Sequence, residues 1–570
     1  MAAAETASPS APPAGPSRAA RWWALATVLA ALVLWAPGLG NGPVIDDNIN
    51  VFKNPYMQDW SGLAILLTST DGNSPHRYYP TWRPLRLLTH RVDMALFGPV
   101  PAAHRAVNLL LHAACTLLLL VLGRRLGLAA WAAGLGAILF AVHPVQSEVV
   151  LWIKERDSLL CMALLLGALL CALRRGWASA AAGVLLFALS LLSKESGVVF
   201  LALAPAVLAV DHLRGNPVPR RRAVVLLAAS LAAFALFWWA RGLVLPMAAQ
   251  VSSPIGGTMA RTLWMMNEVL LRYVGLVLWP ENLFLTWDFI SPDERAWMKW
   301  AGLATWLAMV AGAWVVRRRS PAMALGLAWF LVALAPVSNL IPMMQWMAVR
   351  FLYVPMAGAG LALGAGLELA HACLAARGRM PKSVLLRPAA GAALLLAVLA
   401  IVSLHQIPHW RDEATLMARD WDAGNRTERS RWEKAGALLK QGRVDEAIAL
   451  TDGHRAPGSR FPHATALQVA AFIEAQASGA EAGYQVLAQS VERFADDPML
   501  RHFRATLAIE TGRHKEAEDL LLGLRDVPGM EHAAWSMLGV LYGVQGQGQR
   551  ATDAFAEARK HQPLMVDAPR

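Results

Sequence analysis

The chain has 570 residues, 56% of them hydrophobic and 16% charged, with a mean hydropathy of +0.39 and a net charge of +12. That composition belongs to a polytopic membrane protein and excludes a soluble enzyme built round one large core. The positive charge sits as arginines in short loops between apolar runs, with no basic stripe interleaved with aromatics, which excludes nucleic acid as a partner.

Residues 1–21 are rich in Ala, Pro and Ser and are expected to be a disordered cytoplasmic N-terminus. The run Trp22 to Leu39 lacks a cleavage site and reads as an uncleaved signal-anchor, its start held inside by Arg18 and Arg21. Eleven spans are expected in a membrane domain at 22–405: 22–38, 104–122, 128–144, 157–173, 177–193, 197–211, 223–245, 296–316, 321–338, 351–374 and 387–405. Alternate junctions are basic (Arg124-Arg125, Arg174-Arg175, Arg214 with Arg220 to Arg222, Arg317 to Arg319, then Arg377, Arg379, Lys382 and Arg387). This alternation puts the N-terminus inside and the C-terminus outside. The segment 262–279 is apolar but carries Glu268 and Arg272, and reads as an interfacial or re-entrant helix in an outer loop. Cys115, Cys161, Cys171 and Cys373 all fall within spans, with neither zinc spacing nor a disulfide pattern.

Just after the first span comes Gly42-Pro43-Val44-Ile45-Asp46-Asp47-Asn48. An ionised carboxylate avoids hydrocarbon, so Asp46 and Asp47 sit in water, at a helix N-cap, or in a site. They open a long outer loop, 39–103, dense in aromatic residues, that suits amphipathic helices on the membrane surface. Three further ionisable clusters share this outer face: His143 with Glu148, Lys154 to Asp157 including Arg156, and Lys194 with Glu195. Interfacial anchoring explains each cluster alone. Together with the acidic pair they point to a polar cavity. Arg350, at the entrance of the tenth span, is suited to a phosphate because its planar fork binds two oxygens at once.

Beyond a linker at 406–424 the composition becomes charged and the apolar period helical. Glycines at 442, 479, 512 and 546 recur 37, 33 and 34 residues apart. The last unit reads Trp535-x2-Leu538-Gly539-x2-Tyr542, then Ala551, Phe555 and Pro563, which is the tetratricopeptide pattern at its usual period. Similar units are expected at 431–450, 463–494 and 501–523. Such arrays present concave surfaces to peptides or partner proteins. The fold class expected is therefore all-α, a polytopic helical bundle followed at 425–570 by an α-solenoid.

The motifs as a set resemble the transmembrane and tetratricopeptide-repeat O-mannosyltransferases and their bacterial relatives, within the GT-C class of polyprenyl-linked-sugar glycosyltransferases. The residues carrying the resemblance are Ile45-Asp46-Asp47 with Asn54-Pro55, Trp82-Arg83-Pro84-Leu85, Val107 to His112, His143-Pro144 with Glu148, Glu155-Arg156-Asp157, Ser193-Lys194-Glu195, Ser338-Asn339-Leu340, and Arg350 with Leu352-Tyr353-Val354-Pro355. In one place the chain departs from the family pattern, with Val349 where an acidic residue normally precedes the Arg.

The resemblance implies a GT-C-like bundle in a bacterial inner membrane, with the repeats periplasmic. It also implies a polyprenyl-phosphate sugar as donor and a polypeptide Ser or Thr hydroxyl as acceptor. Displacement at an anomeric carbon passes through an oxocarbenium-like state, and phosphate departs as a stable anion without a general acid. One carboxylate suffices to take the hydroxyl proton. On that reading Asp46 or Asp47 is the base of an inverting transfer. Arg350, Arg83 and Lys194 hold the donor phosphate, and His143, Glu148, Arg156, Glu195 and Tyr353 support the cavity. No cofactor is expected, and a divalent metal is left open. The rival readings are a non-catalytic membrane-anchored repeat scaffold and a transporter of lipid-linked sugars.

Overall fold

Each of the eleven apolar runs forms a helix in the computed structural model. The model describes residues 18–69, 81–245, 256–285, 295–343, 345–376, 387–425, 479–488, 497–528 and 530–561, with scattered positions between them. In chain order the membrane part comprises α1 (Arg18–Trp35), α2 (Leu63–Thr68), α3 (Pro84–Phe97), α4 (Pro101–Arg125), α5 (Ala130–Val142), α6 (Ser147–Leu151), α7 (Arg156–Ala172), α8 (Trp177–Ser193), α9 (Phe200–Leu213) and α10 (Arg220–Val244). It continues with α11 (Met259–Leu278), α12 (Ala296–Val316), α13 (Pro321–Leu334), α14 (Tyr353–Ala376) and α15 (Arg387–Gln406). Helices α3, α4 and α13 start with a proline, whose missing N–H and fixed φ suit the first helical position.

The chain is an integral multi-pass membrane protein. By length and composition seven helices among the described residues can cross a bilayer (α1, α4, α9, α10, α12, α14 and α15 with their flanking turns), or eight if α5 and α6 form one span bent by 52° at His143. The count falls short of the expected eleven at α7, α8 and α13. Helices α7 and α8 have 17 residues each and α13 has 14, against the roughly 20 that a ~30 Å hydrocarbon layer asks for. One apolar core runs through the whole bundle, from Ala31 on α1 to Met417 beyond α15. Helix α7 lies deep in it, with Leu159, Met162, Leu165, Leu166 and Leu169 buried, and packs against α4, α8 and α9.

The segment expected at 262–279 is the amphipathic helix α11, laid against α12. Gly302 lets the Asn267 carbonyl approach so closely that a Cβ there would lie 1.8 Å from its oxygen. Glu268, buried, binds Arg272 at 2.7 Å and the buried Lys299 of α12 at 3.3 Å.

Residues 406–424, expected as a linker, instead pack on the bundle. A short turn, Ile407–Trp410, leads to α16 (Glu413–Asp422), and Trp410, Leu416 and Met417 join the bundle core. Asp412 caps α16 by accepting from Thr415 N at 2.8 Å. Asp420 accepts from Leu285 N at 2.9 Å, tying α16 to the stretch after α11.

Farther on come α17 (Ala480–Ala488), α18 (Pro498–Glu510), α19 (His514–Leu522), α20 (Glu531–Val544) and α21 (Gly548–Lys560) around a second apolar core. Helices α18 and α19, and α20 and α21, form hairpins whose turns use Gly512 and Gly546 at φ of +76° and +73°, a conformation glycine adopts without steric cost. Gly539 makes room for the Phe555 ring, which a Cβ there would meet at 2.7 Å. Arg513 bonds Glu481 at 2.7 Å and Arg550 bonds Glu518 at 2.8 Å, each pair 32 residues apart. Most of the units expected at 431–450 and 463–494, and Pro563, lie outside the described residues.

Candidate functional site

The Asp-Asp stretch folds back on the bundle rather than extending into solvent. Arg105, buried at the start of α4, donates to the carbonyls of Asn41 at 2.6 Å, Gly42 at 2.9 Å and Leu151 at 2.8 Å. Ile45 sits at φ +52°, a left-handed conformation that costs a β-branched residue about 1–3 kcal/mol. That turn separates the fates of the two carboxylates.

Asp47 points inward and is fully buried, accepting from Val44 N at 3.1 Å and from Lys154 N at 2.9 Å. It neither caps a helix nor lies in water. Burial pushes its carboxyl up to about 7, opposed by the two N–H bonds and by Arg105. Asp46 keeps solvent access and accepts from Lys154 Nζ at 2.7 Å. Lys154 thus holds both carboxylates, one through its backbone and one through its ammonium.

The Lys154 ammonium lies 4.8 Å from the centre of the Trp152 ring, and the Arg350 guanidinium lies 5.7 Å from the same ring. Arg350 binds Glu148 twice, through its backbone N at 2.8 Å and through Nη1 at 2.5 Å. Its Nη2 reaches Gln345, and its Nε lies 3.6 Å from Glu155. Glu155 meets Lys194 at 3.2 Å, and Lys194 also meets Asp157 at 3.2 Å and Ser158 at 2.6 Å. Arg83 closes the series, donating to Asp157 at 2.5 Å and to Glu195 at 3.0 Å.

A continuous polar belt therefore joins the loop after α1, the start of α3, the α6–α7 break, the α8–α9 junction and the entrance of α14. It brings together Asp46, Asp47, Arg350, Arg83, Lys194, Glu148 and Glu195 of the expected residues. Each of the three expected phosphate cations already faces a carboxylate.

Three expected residues lie elsewhere. Arg156 turns away from the belt, bonding Asp93 at 2.5 Å, Asn108 Oδ1 at 2.8 Å and the His104 carbonyl at 2.7 Å. His143 accepts from Val145 N at 3.3 Å through Nδ1 and reaches the Val277 carbonyl of α11 at 2.9 Å through Nε2. Tyr353 is a core residue whose hydroxyl meets His112 Nδ1 at 2.9 Å and whose ring packs on Phe140. Asn108 and His112, from the Val107 to His112 motif, likewise serve packing: Asn108 donates to the carbonyls of Trp152 and Ile153, each at 3.2 Å.

Sequence reading passed over Arg105, Trp152 and the double role of Lys154. A lone Arg at the start of an apolar run was the available signal for Arg105. Trp152 gave none, since tryptophans are common along this chain. A set able to hold a metal, His90, Asp93 and His104, lies apart from the belt, with ligand atoms within 4.8 Å of one another.

No family model matches the chain. Human protein O-mannosyl-transferase TMTC4 is 32% identical over 160 residues, which is 25% of this chain and 21% of that protein. Drosophila melanogaster protein O-mannosyl-transferase Tmtc1 is 31% identical over 180 residues, 30% of this chain and 21% of that protein. The chain thus spans about a fifth of the length of these curated relatives. Among solved structures, ArnT from Cupriavidus metallidurans bound to undecaprenyl phosphate aligns with a TM-score of 0.40 at 14% identity, covering 89% of this chain and 81% of that one. The resemblance read from the motifs is met at the level of sequence: over about a quarter of its length, this chain is similar to the protein O-mannosyl-transferases.

Proposed function

We propose that the chain is a membrane glycosyltransferase that moves a sugar from a polyprenyl-phosphate donor to a polypeptide hydroxyl on the outer face, with inversion. The observation that carries this reading is the partly exposed Asp46 carboxylate held by Lys154, whose ammonium shares the Trp152 ring with the Arg350 guanidinium, at one end of an apolar bundle that a lipid tail can lie against. The likeness to proteins named O-mannosyl-transferases supports it.

Asp46 is the base that accepts the hydroxyl proton, since Asp47 is buried behind it and is spent on two backbone N–H groups. Lys154 holds Asp46 in place through its ammonium. Arg350, released in part from Glu148 and Glu155, meets the phosphate as charge develops on it. Arg83 and Lys194 balance the carboxylates on the inner side of the belt. Eleven spans put the belt outside with the C-terminal hairpins, which we read as tetratricopeptide repeats that present the acceptor or a partner protein.

The test is sugar transfer by purified protein from a panel of polyprenyl-phosphate sugars. Asp46→Asn should fold normally and lose roughly 100- to 10,000-fold in rate. Arg350→Ala is a poor probe, because it leaves the buried Glu148 without its partner, a loss of about 3–5 kcal/mol in stability. Arg350→Lys keeps the charge but not the fork, and should fold while transferring slowly. Full activity of Asp46→Asn would sink the site.

A second reading is favoured by the charge balance of the belt and by Val349, buried where the resembled family carries an acid. On that reading the belt is a permanent structural clasp and the chain is a scaffold. An inactive wild type across the whole donor panel, with repeats that still capture partners, selects it.

A further inference from the structure

Away from the belt, α3 and the first turn of α4 face each other beneath the outer loop. His90 and Asp93 are three residues apart on one face of α3, and His104 follows Asp93 by eleven positions, after the turn at Gly98. All three are buried. Neither ring nitrogen of His90 has a hydrogen-bond partner. A buried imidazole with nothing to bond is costly, so its placement calls for a ligand or a reason.

His104 supplies a second observation. Its Nε2 lies 3.1 Å from the Gly98 carbonyl, an acceptor only, so the proton of the neutral ring is on Nε2. Nδ1 then turns a lone pair toward Asp93 Oδ2, 3.6 Å away. Two acceptors facing each other at that distance need a cation between them, either a proton on Nδ1 or a metal ion. The separation is close to the ligand-to-ligand edge, roughly 3.4 Å, of a tetrahedral site with bonds of about 2.1 Å. The Gly98 carbonyl fixes the tautomer of His104, as outer partners do for ligating histidines. His90 can turn its ring into the site without breaking any hydrogen bond.

We propose that His90, Asp93 and His104 form a structural site for a divalent transition ion of the zinc class, clamping α3 to α4 and so fixing the start of the outer helices. Two imidazoles and one carboxylate are the donor set that zinc accepts. Arg156, whose Nη1 lies 2.5 Å from Asp93 Oδ2, shares that carboxylate and weakens it as a ligand. The site is therefore of moderate affinity and is emptied by a chelator.

The experiment uses the full chain purified in detergent, stripped with chelator and titrated with zinc chloride, reading bound zinc per chain and the thermal midpoint. Wild type should bind one zinc more than His90→Phe, and zinc should raise the midpoint of wild type alone. His90→Cys keeps a ligand atom, and with cobalt(II) in place of zinc it should show a thiolate-to-cobalt charge-transfer band absent from wild type. Equal zinc uptake by wild type and His90→Phe overturns the proposal. So does a His90→Phe midpoint above that of wild type whether or not zinc is present, which marks His90 as an unsatisfied core group. If His90→Phe does not fold, His90→Cys decides alone, and the absence of a cobalt band overturns the site.

Discussion

Asp46 and Asp47 are adjacent in sequence and chemically identical, yet past the left-handed turn at Ile45 one keeps partial solvent access and the other is buried in the core. Asp47 carries a pH signature as a result. Its folded carboxyl is raised to about 7 by burial, whereas in the unfolded chain it ionises near 3.8. Between those values the folded state holds the extra proton. The stability contributed by Asp47 is therefore complete below about pH 4 and lost as pH rises through about 7. The wild-type thermal midpoint should fall from about pH 5 to about pH 8, and Asp47→Asn, which cannot titrate, should flatten that fall. Parallel slopes for the two proteins would show that Asp47 does not hold a proton in the folded state. Residue types and their grouping at one end of the bundle were legible in the sequence. Which carboxylate faced inward was not, because the choice depends on Arg105, which holds the Asn41 carbonyl, and on the Lys154 N–H, contacts made across 64 and 107 residues of chain. The same is true of Tyr353, His143 and Arg156: their motifs mark them, but only the packed helices show that they bond α4, α11 and α3.

At the scale of helices, apolar patterning located a helix at each of the eleven expected spans, while the close contacts between elements rest on glycines that hydropathy ignores. Helices α5 and α14 touch backbone to backbone: a Cβ at Gly136 would lie 2.2 Å from the Gly360 oxygen, one at Gly360 2.5 Å from the Gly136 oxygen, and one at Gly364 2.4 Å from that of Ala132. Helices α13 and α14 repeat the arrangement at Gly326 and Gly358, where Cβ atoms would meet backbone at 2.5 and 2.6 Å. Small residues that admit such approach are a main source of helix association in lipid, where no hydrophobic drive remains. Gly360→Val should therefore cost about 1–3 kcal/mol or more, since backbone must move to admit the side chain. Gly391→Ala, on α15 with open space around it, is the control and should leave the thermal midpoint in detergent unchanged or slightly raised. Equal midpoints for Gly360→Val and the control would mean that α5 and α14 stand farther apart. The shortfall in span count arises at this scale too, because α7 buries most of its surface in protein and so does not need the length a lipid-facing helix requires.

For the whole molecule, the open quantity is the parity of the spans. Eight spans, counting only helices of full length and the bent α5–α6 pair, return the C-terminus to the side of the N-terminus. Eleven spans, with α7, α8 and α13 included, send it to the opposite side. Both ends of α7 and α8 bear on the choice. The Lys154 to Asp157 cluster lies at one end of the pair, and Arg174-Arg175 marks the turn at the other. A 17-residue helix is about 25 Å long at 1.5 Å per residue, within reach of a locally thinned bilayer. Leaving the α7–α8 hairpin uncrossed would put Arg174-Arg175 on the face of the acidic belt, against the usual retention of basic loops inside. Excluding α13 would likewise send the residues after Arg317 to Arg319 to the wrong side. We therefore expect a reporter active only on the outer side to work when fused after residue 424 or 570 and to fail after residue 175 or 216, with a reporter active only inside giving the reverse pattern. Activity inside for both C-terminal fusions would restore the even count and separate the C-terminal hairpins from the belt by the membrane. The acceptor-presenting role proposed for those hairpins would then fail, whatever the chemistry at Asp46.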